Sequence, residues 1–140
     1  MIIDPLEAVI EYVRRDSDLS ALIGERVAGR HKFGDGWALP SKAMTLRYDG
    51  GPVDLYTERQ TLRLEGRFYG ERQSEAAKVW GRFNDLTRTA ERKTVQTSTG
   101  TALIYWVKPT SAPSALYDPD LRMDYLLQFF DVAVHELAVA

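Results

Sequence analysis

The chain has 140 residues, a length typical of one domain that buries about two-thirds of the surface its unfolded chain exposes. Its 18 basic and 20 acidic residues give a formal net charge of −2, which argues against a domain whose main task is to coat nucleic acid. It has no cysteine, which excludes disulfides and thiolate metal sites, and no run approaches the roughly twenty apolar residues of a membrane span.

The first predicted helix begins at Pro5, with Asp4 as its N-cap and Glu7 completing a capping box. Its apolar stripe at helical spacing comprises Leu6, Val9, Ile10 and Val13. The segment Asp16-Ser17-Asp18 then breaks this helix and can cap a short second helical turn over residues 19–23, which Gly24 ends. The acidic residues of this opening segment are atypical of a signal peptide, so we expect synthesis in the cytosol.

The middle of the chain is predicted as loop, two strands and a helix. Residues 25–41 are rich in glycine and predict a loop, and residues 42–48 predict a short strand. Residues 59–69 alternate apolar and polar side chains and are the clearest strand. A long helix follows, from residue 71 or 74 to residue 87, with an apolar side made of Ala76, Val79, Trp80, Phe83 and Leu86.

The last third is predicted as a hairpin, a loop and a long strand. The hairpin joins residues 93–98 to residues 101–108, residues 109–120 form a proline-containing loop, and residues 122–134 form the closing strand. The second hairpin strand and the closing strand are apolar on both faces. A sheet with one solvated face shows polar residues at every second position. We therefore expect something outside the monomer to cover part of this sheet.

This element order predicts the α+β class, with a mainly antiparallel, mixed sheet and two main helices packed on one of its faces. No repeat, linker or low-complexity tract divides the chain, so we expect a single domain over residues 1–140. Three large aromatic side chains are predicted to lie in the core: Trp80, Phe83 and Trp106.

The residues that could carry chemistry do not form a recognisable site. His31 and His135 lack accompanying ligands at metal-binding spacing, and no G-x-S-x-G elbow is present. The glycines at residues 34–36 and 49–51 lack the lysine and the strand-to-helix context of a phosphate loop, and so indicate turns. Asp118 before Pro119 is typical of turn capping. We therefore predict no catalytic residue, no metal and no cofactor.

Two further features leave alternatives open. The polar face of the 59–69 strand is either the solvated face of an outer strand or a protein–protein contact surface with charges of alternating sign. The second feature is the pair Phe33 and Trp37, which lie in a glycine-flanked loop. They are either interface anchors or part of a loop that folds back over a helix end.

Several stretches of the chain resemble the tail terminator, or tail completion, proteins of long-tailed (siphovirus-like) bacteriophages. The opening helix DPLEAV (residues 4–9) and the following LSALIGERV (residues 19–27) look like the start of that family. ALP (residues 38–40) precedes the first central strand, and LEGRFYG with SEAA (residues 64–70 and 74–77) is similar to the family's strand–Gly–helix unit. ALYDPD (residues 115–120) resembles its final loop before a long strand.

The resemblance implies a function in assembly: a subunit of a six-fold homo-oligomeric ring that caps the tail tube, stops its polymerisation and joins the tail to the head connector. It implies that DNA passes through the ring without specific binding, and that the protein resides at the head-proximal end of the virion tail after synthesis in the host bacterial cytoplasm. The expected subunit-interface residues are Arg59, Arg63, Glu65, Arg67, Asp124 and Gln128. The expected contacts with tail tube protein or connector protein are Phe33, Trp37 and Tyr56.

Two alternatives remain at this point. The chain could instead be a head-completion or connector adaptor protein of the head–tail joint, which the sequence does not separate from a terminator. It could also be a small ligand-binding or hydrolytic α+β domain, which would require a pocket with convergent titratable groups.

Overall fold

A computed structural model describes residues 3–29, 37, 40–51 and 60–137. Within these residues it has three helices and seven strands, and the predicted α+β class is confirmed. In chain order the elements are α1 (Pro5–Arg14), α2 (Ser17–Ile23), β1 (Val27–Ala28), β2 (Ala43–Tyr48), β3 (Gln60–Gly70), α3 (Gln73–Thr89), β4 (Lys93–Thr97), β5 (Gly100–Pro109), β6 (Ser114–Asp118) and β7 (Met123–Glu136).

α1 begins after its predicted cap, and α2 ends before Gly24 as predicted but begins at Ser17, two residues earlier than the predicted turn. The Asp4 carboxylate accepts hydrogen bonds from the backbone N–H groups of Leu6 at 2.9 Å and Glu7 at 3.3 Å. The Asp16 carboxylate accepts the backbone N–H of Leu19 at 2.8 Å and so caps α2. Gly24 ends α2 with a positive φ of 60°, a conformation that glycine adopts without steric cost.

The described strands form one sheet in the order β1-β2-β3-β7-β5-β4, in which β1 is parallel to β2 and all other pairs are antiparallel. β3 pairs with β7 over its whole length, from Gln60 opposite Val134 to Gly70 opposite Asp124. Of the two alternatives for this strand, an outer strand is excluded, because β2 covers one edge of β3 and β7 the other.

Two segments predicted as loops contain strands. Val27 and Ala28 form β1, and residues 114–118 form β6, which lies antiparallel to the beginning of β7. β5 pairs with the end of β7, so β5 and β6 follow one another along the same edge of that strand. β6 is short and lies between prolines, and its pairing depends on a strand that comes later in the chain.

The core lies between one face of the sheet and the helices, as predicted. From α3, Phe83 packs against Phe68 of β3 and Phe130 of β7, with ring centroids 5.2 and 4.9 Å apart. Val9 and Val13 of α1 join the same buried cluster. Gly70 allows the close passage from β3 into α3, since a Cβ there would lie 2.4 Å from the backbone nitrogen of Ala76.

A bulge in β5 corrects the prediction for Trp106. Ile104 lies opposite Val134, whereas Trp106 lies opposite Ala133, so Tyr105 is the extra residue of the bulged strand. After the bulge Val107 continues the core face and is buried, while Trp106 turns to the other face and is only half-buried. Among the described residues, no helix combines the length and apolarity needed to cross a membrane.

Candidate interaction surface

The face of the sheet opposite the helices carries an alternation of cations and aromatic rings, and we call it the outer face. The register places Arg47 beside Glu65, Glu65 beside Phe129, and Arg63 beside Asp131. The outer face includes Arg47, Arg63, Glu65, Arg67, Trp106, Lys108, Tyr125, Leu127, Phe129 and Asp131.

Three cations of the outer face lie over aromatic rings, two of them on the neighbouring strand β7 and one on the cation's own strand β5. The Arg63 guanidinium is 4.2 Å from the centroid of the Phe129 ring, and the Lys108 ammonium is 4.7 Å from the centroid of Trp106. Arg67 lies 5.4 Å from the ring of Tyr125. These contacts are attractive and shield apolar rings from water. The chain itself thus covers part of the two-sided apolar strands, and each covered ring remains half-buried.

Glu65 lies at the centre of this face and is only 3% exposed, so the alternative of a solvated face does not hold for it, and this expected interface residue has little surface to offer a neighbouring subunit. Its carboxylate accepts hydrogen bonds from Arg47 Nε at 2.6 Å and Arg67 Nε at 3.3 Å. A buried carboxylate is tolerated when cations and hydrogen bonds compensate its charge. Glu65 therefore fixes the positions of the two arginine side chains, and these side chains, which are partly exposed, form the surface above it.

Arg63 is tied to the turn that follows β2. Its Nε lies 3.3 Å from a carboxylate oxygen of Asp49. The backbone N–H of Asp49 donates to the Arg63 carbonyl, and the backbone N–H of Arg63 donates to the Gly50 carbonyl, both at 2.8 Å. These two backbone hydrogen bonds fix the backbone of Arg63 against the turn, and its side chain extends from there over the ring of Phe129.

Gln128 is a buried connector and has little surface to offer a neighbouring subunit, since it is 3% exposed. Its side-chain oxygen accepts hydrogen bonds from Trp80 Nε1 at 2.7 Å and from the Asn84 amide at 3.1 Å. Its amide donates to the Ser111 carbonyl at 2.8 Å. Gln128 thus joins α3 to β7 and to the segment between β5 and β6.

The remaining predicted site residues are distributed as follows. Asp124 is half-buried on β7, opposite Gly70 of β3 and Tyr117 of β6. Trp37 is half-buried. Three residues lie outside the described ones: Arg59, Phe33 and Tyr56.

The cations and rings that sequence reasoning missed are Arg47, Lys108, Tyr125 and Phe129. A signal for Phe129 was present, because it alternates with buried Phe130 on β7 and so belongs to the opposite face. No signal in the β2 sequence alone places Arg47 beside Glu65, since that contact depends on the pairing register.

The described residues contain no group of three or more His, Cys, Asp or Glu side chains that could hold a metal ion. An open cleft of about 310 Å³ lies between the end of α3 and β5, bordered by Arg88, Glu91, Trp106 and Lys108. His135 is half-buried, with its ring centroid 6.2 Å from that of Tyr105. The geometry therefore points to a surface suited to protein contact, through paired charges over partly covered rings.

Comparison with known proteins finds a similarity of structure. No protein-family model and no curated protein matches the chain. A chain of the solved structure "Virion of native gene transfer agent (GTA) particle" is similar to it, with a TM-score of 0.61 and 17% sequence identity over 92% of this chain and 92% of that chain. At this identity the likeness shows a shared fold, which extends over nearly the whole length of both chains.

Proposed function

We propose that this protein is a structural subunit of a tailed, phage-like particle. The observation that carries the proposal is the shared fold over 92% of the chain with a component of a virion-type particle. The outer face adds support, because its half-buried rings and charges of both signs suit contact with another protein. We assign the protein no catalytic role.

The finer assignment is a tail terminator: a ring, in the first instance a hexamer, that caps the tail tube and offers a surface to the head connector. A ring needs heterologous contacts, in which one patch of each subunit meets a different patch of its neighbour. We place Arg63 and Arg67 on one such patch, and Asp124, which the register puts with Gly70 on the opposite face of the sheet, on the other. Glu65 and Gln128 support them from within the monomer. A net charge of −2 suits a ring that lets DNA pass without holding it.

The contacts with the tube or the connector are proposed for Phe33, Trp37 and Tyr56, as the resemblance to terminators implies. In this account the protein has no membrane-bound role. It is made in the cytoplasm of the bacterial host and ends at the head-proximal end of the tail.

The proposal is tested by co-sedimentation of the purified protein with unterminated tail tubes and, separately, with head connector complexes. Binding to tubes supports the terminator. Binding to connectors alone identifies a head-completion adaptor instead, and binding to neither contradicts both.

Charge-reversal variants then test the outer face. Arg63→Glu removes the cation over Phe129, and we expect it to abolish saturable ring assembly at tube ends while the isolated chain stays folded. Arg14→Glu is the matched control, because Arg14 is an exposed cation of α1, away from the outer face, that forms an ion pair with Glu11. Equal effects of both variants would contradict the role given to the outer face.

A further inference from the structure

The edge of the sheet formed by β6 is open. Of the described strands, only β7 pairs with β6. Ser114, Ala115, Leu116 and Tyr117 are all exposed, and Leu116 and Tyr117 retain 43% and 58% of their accessible surface. An edge strand with exposed apolar side chains and unpaired backbone groups is a template for pairing with another strand.

The two other edge strands of the sheet, β4 and β1, are protected, in contrast to β6. Lys93 begins β4, and the Arg15 guanidinium donates a hydrogen bond to the Thr94 carbonyl at 3.3 Å. At the opposite end β1 has only two residues. Proteins use lysines, covering side chains and short strands to prevent edge-to-edge association. β6 is short, lies between Pro113 and Pro119 and ends in Asp118, but it contains no lysine or arginine, and its central residues Ala115, Leu116 and Tyr117 carry no charge.

Hydrogen bonds hold the chain on both sides of β6. The Asp118 carboxylate accepts hydrogen bonds from the backbone N–H groups of Asp120 at 3.0 Å and Leu121 at 3.2 Å, which fixes the turn into β7. On the other side, the backbone N–H of Thr110 donates to the Phe129 carbonyl at 2.9 Å. A strand that is already paired with β7 and anchored in this way loses less conformational entropy on pairing with another chain than a free segment does.

We propose that β6 pairs with β6 of a second copy of this chain, antiparallel about a two-fold axis at Leu116. In this register Leu116 lies opposite Leu116 of the partner subunit, Ala115 opposite the partner's Tyr117, and Ser114 opposite the partner's Asp118. The apolar residues face apolar residues, and no like charges lie opposite each other. The strand is therefore complementary to itself, as a two-fold contact requires.

This contact is separate from the proposed ring. It joins the same patch on both copies, whereas a ring joins two different patches, and the inference does not rest on the proposed function. A five-residue strand pair buries little area, so we expect a weak dimer whose population rises with protein concentration.

The test uses sedimentation equilibrium of the full chain over a range of concentrations, with three samples besides the wild type. Because residue 116 lies opposite itself, Leu116→Lys and Leu116→Glu should each be monomeric through like-charge repulsion. A one-to-one mixture of the two variants should associate again. Ser98→Lys, at the exposed tip of the β4–β5 hairpin, is the control and should associate like the wild type.

The outcomes are distinguishable. Restored association of the mixture supports the β6 pairing, since a contact between different patches would not bring residue 116 of the two chains together. A wild type that stays monomeric at every concentration overturns the inference. So does association that the Leu116 variants leave unchanged or that the mixture fails to restore.

Discussion

Arg82 of α3 and Asp16 before α2 form a two-point ion pair. Arg82 Nε donates to one carboxylate oxygen of Asp16 at 2.7 Å, and Nη2 donates to the other at 2.6 Å. The same carboxylate caps α2 through the backbone N–H of Leu19. One side chain thus begins α2 and attaches it to α3, and the Arg82 hydrogen bonds hold the pKa of Asp16 below its ordinary value of 3.8.

The two roles of Asp16 can be separated by substitution. Asp16→Ala removes both the cap and the ion pair, and loss of the cap alone is expected to lower the free energy of unfolding by about 1 kcal/mol. Asp16→Asn keeps an oxygen that can cap α2, so the loss should be smaller. Urea unfolding of both variants measures the difference. Equal losses would contradict the capping role.

The ion pair also predicts a pH dependence. The pKa of Asp16 is lower in the folded chain than in the unfolded one, so its stabilisation is complete above 3.8 and is lost as the pH falls through the folded value. The stability advantage of the wild type over Asp16→Asn should therefore be constant near pH 6 and shrink as the pH falls below 3.8. Thermal unfolding across this range measures it. An advantage that stays constant down to the lowest pH would argue against the pair.

The buried amide of Gln128 is expected to stabilise the fold strongly. Gln128→Leu leaves the Trp80 indole N–H without its acceptor and the Ser111 carbonyl without its donor, so we expect a loss of about 3 kcal/mol in urea unfolding. Gln96→Leu, on the exposed side of β4, is the control and should change stability by no more than about 0.5 kcal/mol. A loss at Gln128 no greater than that of the control would contradict the connecting role.

Glu65 is expected to act on the monomer through its two arginines. Glu65→Gln keeps the shape but removes the charge that compensates Arg47 and Arg67, and we expect a loss of about 2 kcal/mol, reduced because half of the Arg47 side chain is exposed. Combining it with Arg47→Met should cost less than the sum of the two single changes, since the two residues interact directly. Strict additivity in urea unfolding would show that they do not. Glu91→Gln, an exposed carboxylate, is the control.

Two glycines of the same region should respond in opposite directions to alanine. Gly70→Ala places a Cβ 2.4 Å from the backbone nitrogen of Ala76, so the junction of β3 and α3 must shift, at an expected cost of about 2 kcal/mol or more. Gly81 lies inside α3 with no atom within 4 Å of the added Cβ. Gly81→Ala should stabilise the chain by up to about 1 kcal/mol. Thermal unfolding distinguishes the two, and destabilisation by both would contradict the packing described for α3.

The sequence predicted those features of the fold that are encoded locally. The N-caps Asp4 and Asp16, the apolar stripes of α1 and α3, and the alternation along β3 each predicted an element that the structure confirms. Asp118 also caps its turn as predicted. In each case residues close together in the sequence are enough to predict the element.

The features that were missed depend on partners distant in the chain. β6 is a strand because β7 lies beside it, and Trp106 leaves the core because a bulge changes the register of β5 against β7. Glu65 is buried because Arg47 and Arg67 lie on either side of it. Strand pairing and the register of a bulge are set by long-range contacts, so periodicity along one strand does not predict them.

The central claim, that this protein caps the tail tube, is tested most directly by electron microscopy of unterminated tail tubes mixed with the purified chain. The account predicts one ring of added density at a single end of each tube, with further growth of the tubes arrested. Tube ends that stay bare and continue to grow when the folded protein is in excess would contradict it.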